Sequence, residues 1–151
     1  MEANEVIVKK TKEVLGWTGI EVEVESNLNL EIATNYINIV ANDARLLIGP
    51  GGESLFALEY LLKRMLEKEM GESPKFFLDI NGYRLHQIET LKEEVKQMAK
   101  KVRLYRKEMV LKPMAPFERR IIHMALAEYP DITTESVGEG ERRRVVIKPY
   151  P

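Results

Sequence analysis

The chain contains no cysteine, which excludes disulfide bonds, thiolate metal sites and cysteine nucleophiles. It also lacks a long hydrophobic run, because no apolar stretch approaches the roughly 20 residues that a membrane-spanning helix needs. The N-terminus carries acidic Glu2 and Glu5 where a signal peptide would have a basic and then an apolar segment. We therefore expect a cytoplasmic protein that does not insert into a membrane.

The composition is that of a globular protein, and its charge is unevenly divided. The 151 residues are 44% hydrophobic and 31% charged, with a formal net charge of −1. Residues 1–81 hold 8 basic and 14 acidic side chains (−6), whereas residues 82–151 hold 15 and 10 (+5). Such a division is typical of chains that bind a polyanion through one half. Chance unevenness of a charged surface is the alternative.

Apolar spacing and turn residues predict an α+β fold in two small units. Ser26 and Asn27 are interpreted as a turn, and a change of alternation near Thr34 indicates a bulge or an extra turn in the second strand. The predicted elements of the first unit are helix 4–15, strand 21–25, strand 30–40, helix 42–48, a helix after a glycine loop, and strand 76–80.

The second half opens on a long amphipathic helix. Its apolar residues step by three and four from residue 84 to residue 109, which at about 1.5 Å per residue gives a helix long enough to bridge two domains. A short apolar piece at 109–111, a helix from Pro116, and strands at 132–137 and 143–148 complete the pattern. We expect the domains to be 1–82 and 83–151.

A glycine-rich loop joins two helices of the first half. Without Cβ atoms, its glycines let a sugar-phosphate backbone approach the main chain, and the next helix starts with unpaired N–H groups. A mononucleotide P-loop is excluded because no Lys-Ser/Thr follows, and a dinucleotide fingerprint because no strand precedes. A tight helix-helix turn is the structural alternative. The loop consists of Ile48, Gly49, Pro50, Gly51 and Gly52.

This loop, followed by Leu55, resembles the Ile-Gly-x-x-Gly-x-x-Ile/Leu signature of KH domains, which clamp single-stranded nucleic acid. The element order to residue 81 is similar to the type II domain, α-β-β-α-α-β. Binding KH loops usually carry Lys or Arg in the variable pair, but Pro50 and Gly51 carry no charge here. We expect weak phosphate affinity, with Arg45 as the compensating cation.

Arg119 and His123 lie four residues apart and share one face of the predicted helix. An arginine beside a histidine can bind a phosphate and stack on a base; a salt-bridged arginine near a half-buried histidine is the alternative. Arg120 adjoins them, and Arg142, Arg143 and Arg144 begin a strand that should return beside this helix.

These residues resemble the small domain named for its Arg-x-x-x-His motif, which binds single-stranded nucleic acid. Its pairing with a KH unit resembles the bacterial Jag family of RNA-binding proteins, whose members often carry a further N-terminal domain; we expect this chain to be a short form. The matching residues are Met114, Pro116, Glu118, Arg119, Arg120, Thr134, Ser136, Gly138, Glu139 and residues 144–147.

A second basic feature lies on the long helix. Four cations step by four, three and four without an intervening acid, which predicts a track for the phosphates of a strand passing between domains. Ordinary solvation of an exposed helix is the alternative. The four residues are Lys96, Lys100, Arg103 and Lys107.

From the sequence we expect binding of single-stranded RNA, or single-stranded DNA, without a cofactor or metal. The resemblance implies an RNA chaperone or post-transcriptional regulator linked to cell envelope growth, and a homodimer or a heterodimer with a smaller KH protein. A protein-interaction module with weak nucleic-acid affinity is the alternative. A phosphodiester-cleaving site with His123 as the general base is disfavoured, because Glu118 projects away from Arg119 on the helix. Affinity is expected mainly near Arg119, His123 and the arginines at 142–144.

Overall fold

The computed structural model describes residues 2–29, 32 and 34–151. The chain divides into two compact units, here called unit 1, which ends at Arg84, and unit 2, which begins at Leu85. Within the described residues the fold is α+β, with five α-helices and two three-stranded sheets. In this part of the chain, no helix is long and apolar enough to cross a membrane.

Unit 1 places helices on one face of a mixed sheet. Strands β1 and β2 are antiparallel, and β2 and β3 are parallel, so that the sheet order is β1-β2-β3. The elements are α1 (Ala3–Gly16), β1 (Val22–Asn29), β2 (Thr34–Ala41), α2 (Arg45–Ile48), a 3-10 turn (Pro50–Gly52), α3 (Glu53–Met70) and β3 (Phe76–Ile80).

The core of unit 1 follows from the amphipathic spacing of its helices. Ile7 and Leu15 of α1 and Leu62 of α3 are fully buried against Ile37 and Leu78 of the sheet. These side chains recur at helical and at alternating intervals. Burial of these two helical stripes on one sheet face leaves the α2–α3 connection at the surface, where Pro50 and Gly51 are exposed.

The strand boundaries in unit 1 differ from the predicted ones. Ser26 and Asn27 do not form a turn: they continue β1 and pair with Ile37 and Tyr36. Their outer face is solvated, so polar side chains are tolerated there and alternation no longer marks the strand. The second strand begins at Thr34, where alternation changed, and pairs with β1 without a bulge to Ala41. The start predicted at Leu30 lies outside the described residues.

Unit 2 packs two helices on an antiparallel sheet of order β4-β6-β5. Its core contains Val95 and Val102 from the first helix, Ile122 from the second, and Val145 and Ile147 from the central strand. The elements are α4 (Tyr83–Tyr105), whose first two residues belong to unit 1, β4 (Met109–Val110), α5 (Pro116–Leu126), β5 (Ile132–Val137), a 3-10 turn (Gly140–Arg142) and β6 (Arg144–Pro149).

The long helix is shorter than predicted. Its 23 residues span about 35 Å, and it ends at Tyr105 because Arg106 adopts a left-handed backbone with φ of 57°. Met109, predicted as its last apolar residue, instead begins β4 and pairs with Ile147. A spacing of four residues from Tyr105 to Met109 is compatible with a helix, but it does not reveal an αL ending that lacks glycine.

Candidate nucleic-acid interface

Helix α5 holds Arg119 and His123 at the surface because its opposite face is apolar. Pro116 occupies the first helical turn, where its fixed φ is favourable. Ile122 and Leu126 are buried in the core of unit 2. The remaining face turns Arg119 and His123, both half-buried, towards solvent beside β5.

The His123 ring is held by two hydroxyl groups of β5. Its Nδ1 lies 2.6 Å from Thr134 Oγ1, and its Nε2 lies 2.9 Å from Ser136 Oγ. Thr134 and Ser136 are two residues apart and therefore share one face of the strand. A neutral imidazole donates through one nitrogen and accepts through the other, and a hydroxyl can complement either role. The ring is thus fixed in orientation before any ligand arrives.

The charge of His123 is disfavoured by its surroundings. Partial burial lowers the pKa of the imidazole, and the positive charge of Arg119 lowers the pKa further. The guanidinium of Arg119 therefore supplies the permanent positive charge, whereas the neutral ring supplies a hydrogen-bond donor and an acceptor. This division of roles suits a phosphate bound next to a sugar or base.

Arg119 is oriented through its own backbone neighbourhood. Its Nε donates to the carbonyl of Met114 at 3.3 Å, and the Met114 N–H donates to the carbonyl of Arg143 at 3.2 Å. Among the described residues, the two terminal nitrogens of this guanidinium make no hydrogen bond. Two donors in a fixed fork are what bidentate phosphate binding requires.

The neighbouring arginines order the turn into β6. Arg143 Nη1 donates to the Gly138 carbonyl at 2.8 Å, and Arg144 Nε donates to the Arg142 carbonyl at 3.0 Å. Gly138 has φ of 87°, and a Cβ there would lie 3.0 Å from the Arg142 carbonyl oxygen. The turn is therefore tightly folded, and its cations are anchored to the backbone of unit 2.

Arg120 projects from α5 over the Phe117 ring, with its guanidinium carbon 5.4 Å from the ring centroid. It is exposed, and so is Arg142. These two side chains flank the buried part of the site rather than lining it. We therefore assign Arg119 and His123 the central position and leave Arg120 and Arg142 as outer cations.

The glycine loop is a tight connection between α2 and α3. The Gly52 N–H donates to the Gly49 carbonyl at 3.2 Å, and positive φ angles occur at Gly49, Gly51 and Gly52. Ile48 closes α2 and packs against the core of unit 1. Exposed Glu53 begins α3, and its carboxylate opposes an anion at this helix end.

Arg45 is paired in a way that the sequence did not suggest. Its Nε and Nη2 lie 3.2 Å from the two carboxylate oxygens of Asp43. The pair raises the pKa of Arg45 and lowers the pKa of Asp43. Because both side chains are highly exposed, the pairing is weak, but it partly neutralises the cation expected to serve the loop.

The predicted basic track is interrupted. Lys107 lies beyond the end of α4, so the helical stripe from Lys96 to Lys107 is wrong at its last member. Arg103 is engaged within unit 2: its Nε lies 2.7 Å from Asp131 Oδ2, and it lies over the Tyr129 ring. Lys96 and Lys100 remain exposed on α4.

Thr134 and Ser136 complete the site, although sequence reasoning did not place them in it. Their alternation on a strand beside the Arg-His helix was a usable signal, since two hydroxyls two residues apart face the same way. Within residues 2–29, 32 and 34–151, no group of three or more His, Cys, Asp or Glu side chains could hold a metal ion.

The fold and site of unit 2 define an Arg-x-x-x-His protein, and the sequence comparisons agree. The family model of the Arg-x-x-x-His domain matches residues 89–149. The chain belongs to the Jag family, as its resemblance predicted. Similar proteins include three named "RNA-binding protein KhpB".

The relative from Clostridium symbiosum is 34% identical over 94% of this chain and 69% of its own length. The relative from Bacillus subtilis is 39% identical over 73% of this chain and 54% of its own length. The relative from Lactiplantibacillus plantarum is 31% identical over 96% of this chain and 46% of its own length. The chain therefore spans about half to two thirds of these relatives.

Proposed function

We propose that the chain binds single-stranded RNA through the Arg119–His123 site of unit 2. The observation that carries the proposal is the His123 ring fixed between two β5 hydroxyls beside the guanidinium of Arg119. The relatives are named as RNA-binding proteins, and the chain shares their family. Binding of this kind requires positioning and charge but no bond-breaking step, and we propose no enzymatic activity.

The proposed contact divides one nucleotide between two side chains. The terminal nitrogens of Arg119 bind a phosphate as a fork, and the neutral His123 ring exchanges one of its hydroxyl partners for a sugar or phosphate oxygen. Thr134 and Ser136 keep the ring in place during this exchange. Arg143 and Arg144 add positive charge next to the same strand of RNA.

Residues 1–82 are proposed to form a type II KH domain, and residues 83–151 the Arg-x-x-x-His domain. The α-β-β-α-α-β order of unit 1 and its exposed glycine loop support the first assignment. In this proposal the loop aligns the RNA, and unit 2 supplies most of the affinity. On family resemblance alone, we extend the proposal to RNA-chaperone or post-transcriptional activity linked to cell envelope growth, in the cytoplasm.

A protein-interaction role for unit 1 is the second candidate. Helix α3 exposes Phe56, Tyr60 and Leu61, of which Tyr60 is 67% exposed, and such a surface favours pairing with another KH unit. The uncharged Pro50 and Gly51 point the same way. Homodimers or heterodimers formed through this face would coexist with RNA binding by unit 2.

Replacing Arg119 and His123 together with alanine is expected to weaken RNA binding about 10- to 100-fold, since each lost hydrogen bond to a charged group contributes about 1.5–3 kcal/mol before compensation. The measurement is fluorescence anisotropy with an unstructured RNA oligonucleotide at low salt. The matched control is Arg64→Ala with His86→Ala, which removes the same two residue types from exposed positions. A double variant that binds as tightly as this control would refute the site.

Replacing Pro50 with lysine is expected to strengthen RNA binding, because the variable pair of the loop then carries one cation that can reach a phosphate. For a single strand, one additional phosphate contact steepens the slope of log affinity against log salt by about 0.7. Pro50→Ala is the control, because it removes the ring without adding charge. If the slopes of Pro50→Lys and Pro50→Ala coincide, the loop does not contact phosphate.

A further inference from the structure

A pocket of about 290 Å³ lies where α4 ends and β4 begins. It is lined by Lys101, Tyr105, Lys107 and Met109. Lys101 and Tyr105 share one face of α4, because they are four residues apart. Lys107 and Met109 arrive from the chain segment that follows the helix. All four residues belong to unit 2.

The pocket exists because the chain turns sharply at Arg106. This residue has φ of 57°, a left-handed conformation that costs a non-glycine residue roughly 1–2 kcal/mol. Its N–H closes the helix onto the Val102 carbonyl at 2.9 Å, and its Nη2 donates to the Pro151 carbonyl at 2.8 Å. The turn brings Lys107 and Met109 alongside Tyr105, and strained backbone of this kind is common at binding sites.

The side chains of the pocket suit an aromatic base flanked by anions. Tyr105 is 67% exposed, so its ring offers a free face on which a base can stack. Among the described residues, neither Lys101 nor Lys107 lies within 4.0 Å of a carboxylate. Both ammonium groups are therefore available to phosphates. An uncharged apolar partner would leave these two cations without a role, which favours nucleic acid over a hydrophobic peptide.

The pocket also stands in register with the Arg119–His123 site. Met109 pairs with Ile147, and Ile147 pairs with Thr134, the hydroxyl residue that holds His123. At about 4.8 Å between neighbouring strands, Met109 lies roughly 10 Å across the sheet from Thr134. One strand of RNA can span that distance within a few nucleotides.

We infer that this pocket is a second contact for single-stranded RNA, in which a base stacks on Tyr105 and its flanking phosphates bind Lys101 and Lys107. The inference rests on the proposed RNA binding by unit 2 and adds a specific base-binding position to it. RNA then crosses unit 2 from β5 to β4, rather than along the exposed face of α4.

Stacking at Tyr105 is tested with three variants and an RNA oligonucleotide of about 12 nucleotides, within the range that such platforms cover. Tyr105→Ala is expected to weaken binding about 5- to 100-fold, in line with the loss of one stacked base, whereas Tyr105→Phe keeps the ring and retains affinity. Leu104→Ala is the control, since Leu104 is the adjacent, 73% exposed residue of α4. Equal affinities of Tyr105→Ala and Leu104→Ala would overturn the inference.

The lysines are tested through salt dependence. Lys101→Gln combined with Lys107→Gln is expected to lower the slope of log affinity against log salt by about 1.4, two single-strand contacts. An unchanged slope would also overturn the inference. Failure here is distinct from failure of the proposed function: if the wild-type chain binds RNA and these variants match it, only this pocket is excluded. If the wild-type chain binds no RNA, both proposals fall.

Discussion

Replacing Arg84 with methionine is expected to destabilise unit 1 by about 3–5 kcal/mol, the cost of removing one partner of a buried ion pair. Arg84 Nη1 donates to Glu59 Oε2 at 2.6 Å and to the Leu78 carbonyl at 2.9 Å. The side chains of Arg84 and Glu59 are only 12% and 15% exposed. The change would leave the Glu59 carboxylate shielded from water without its closest cation.

The aromatic contacts of Arg84 add to this loss. Its guanidinium carbon lies 3.6 Å from the centroid of the Phe77 ring and 4.9 Å from that of Phe56. Stacked, partly desolvated cations of this kind are worth about 1–2 kcal/mol. Methionine has a similar length and is apolar, so it tests charge and hydrogen bonding while preserving much of the packing.

Amide hydrogen exchange is the appropriate measurement, because it follows the two units separately. Amides of β2 and β3 are expected to exchange about 100- to 3,000-fold faster in Arg84→Met, whereas those of β5 and β6 serve as an internal reference. The matched control is Arg64→Met, which breaks an exposed ion pair with Glu67 and should cost below about 1 kcal/mol. Similar exchange in the two variants would contradict the importance of the buried pair.

This ion pair shows where sequence reasoning about unit 1 stops. The alternation of Phe76, Leu78 and Ile80 predicted β3 with one apolar face, which left Asp79 on the solvent side. All five residues of β3 are buried, and Asp79 accepts hydrogen bonds from the Tyr36 hydroxyl at 2.8 Å and from the Arg84 N–H. Burial and the Asp79 carboxylate raise the pKa of Tyr36 well above its usual range. Residues 43 apart in sequence form this contact, and no local period reports it.

The candidate site was predictable where its signal is local. Arg119 and His123 follow from i, i+4 spacing on one helix, and the helix follows from Pro116 and its apolar stripe. Thr134 and Ser136 were not placed because their partnership with His123 depends on how α5 packs on β5, a tertiary contact. The same limit applies to Arg103, whose pairing with Asp131 joins residues 28 apart.

The second prediction concerns the glycine loop: Gly49→Ala is expected to cost unit 1 about 2–4 kcal/mol. Gly49 has φ of 72° and ψ of 174°, a region that is essentially restricted to glycine and costs other residues about 1–3 kcal/mol. A Cβ at this position would overlap the Ser54 hydroxyl and lie 2.9 Å from the Ser54 amide nitrogen. The backbone atom cannot rotate away, so the clash adds to the conformational strain.

Gly51→Ala is the matched control in the same loop. Gly51 also has positive φ, at 61°, but a Cβ there meets no atom within 4 Å. Its cost should therefore be the left-handed conformation alone, roughly 1–2 kcal/mol. The comparison isolates the close approach of Gly49 to Ser54, and amide exchange of β2 and β3 measures both variants. Equal destabilisation by the two changes would show that Ser54 moves aside, and that the first loop glycine is required for its conformation rather than for close packing.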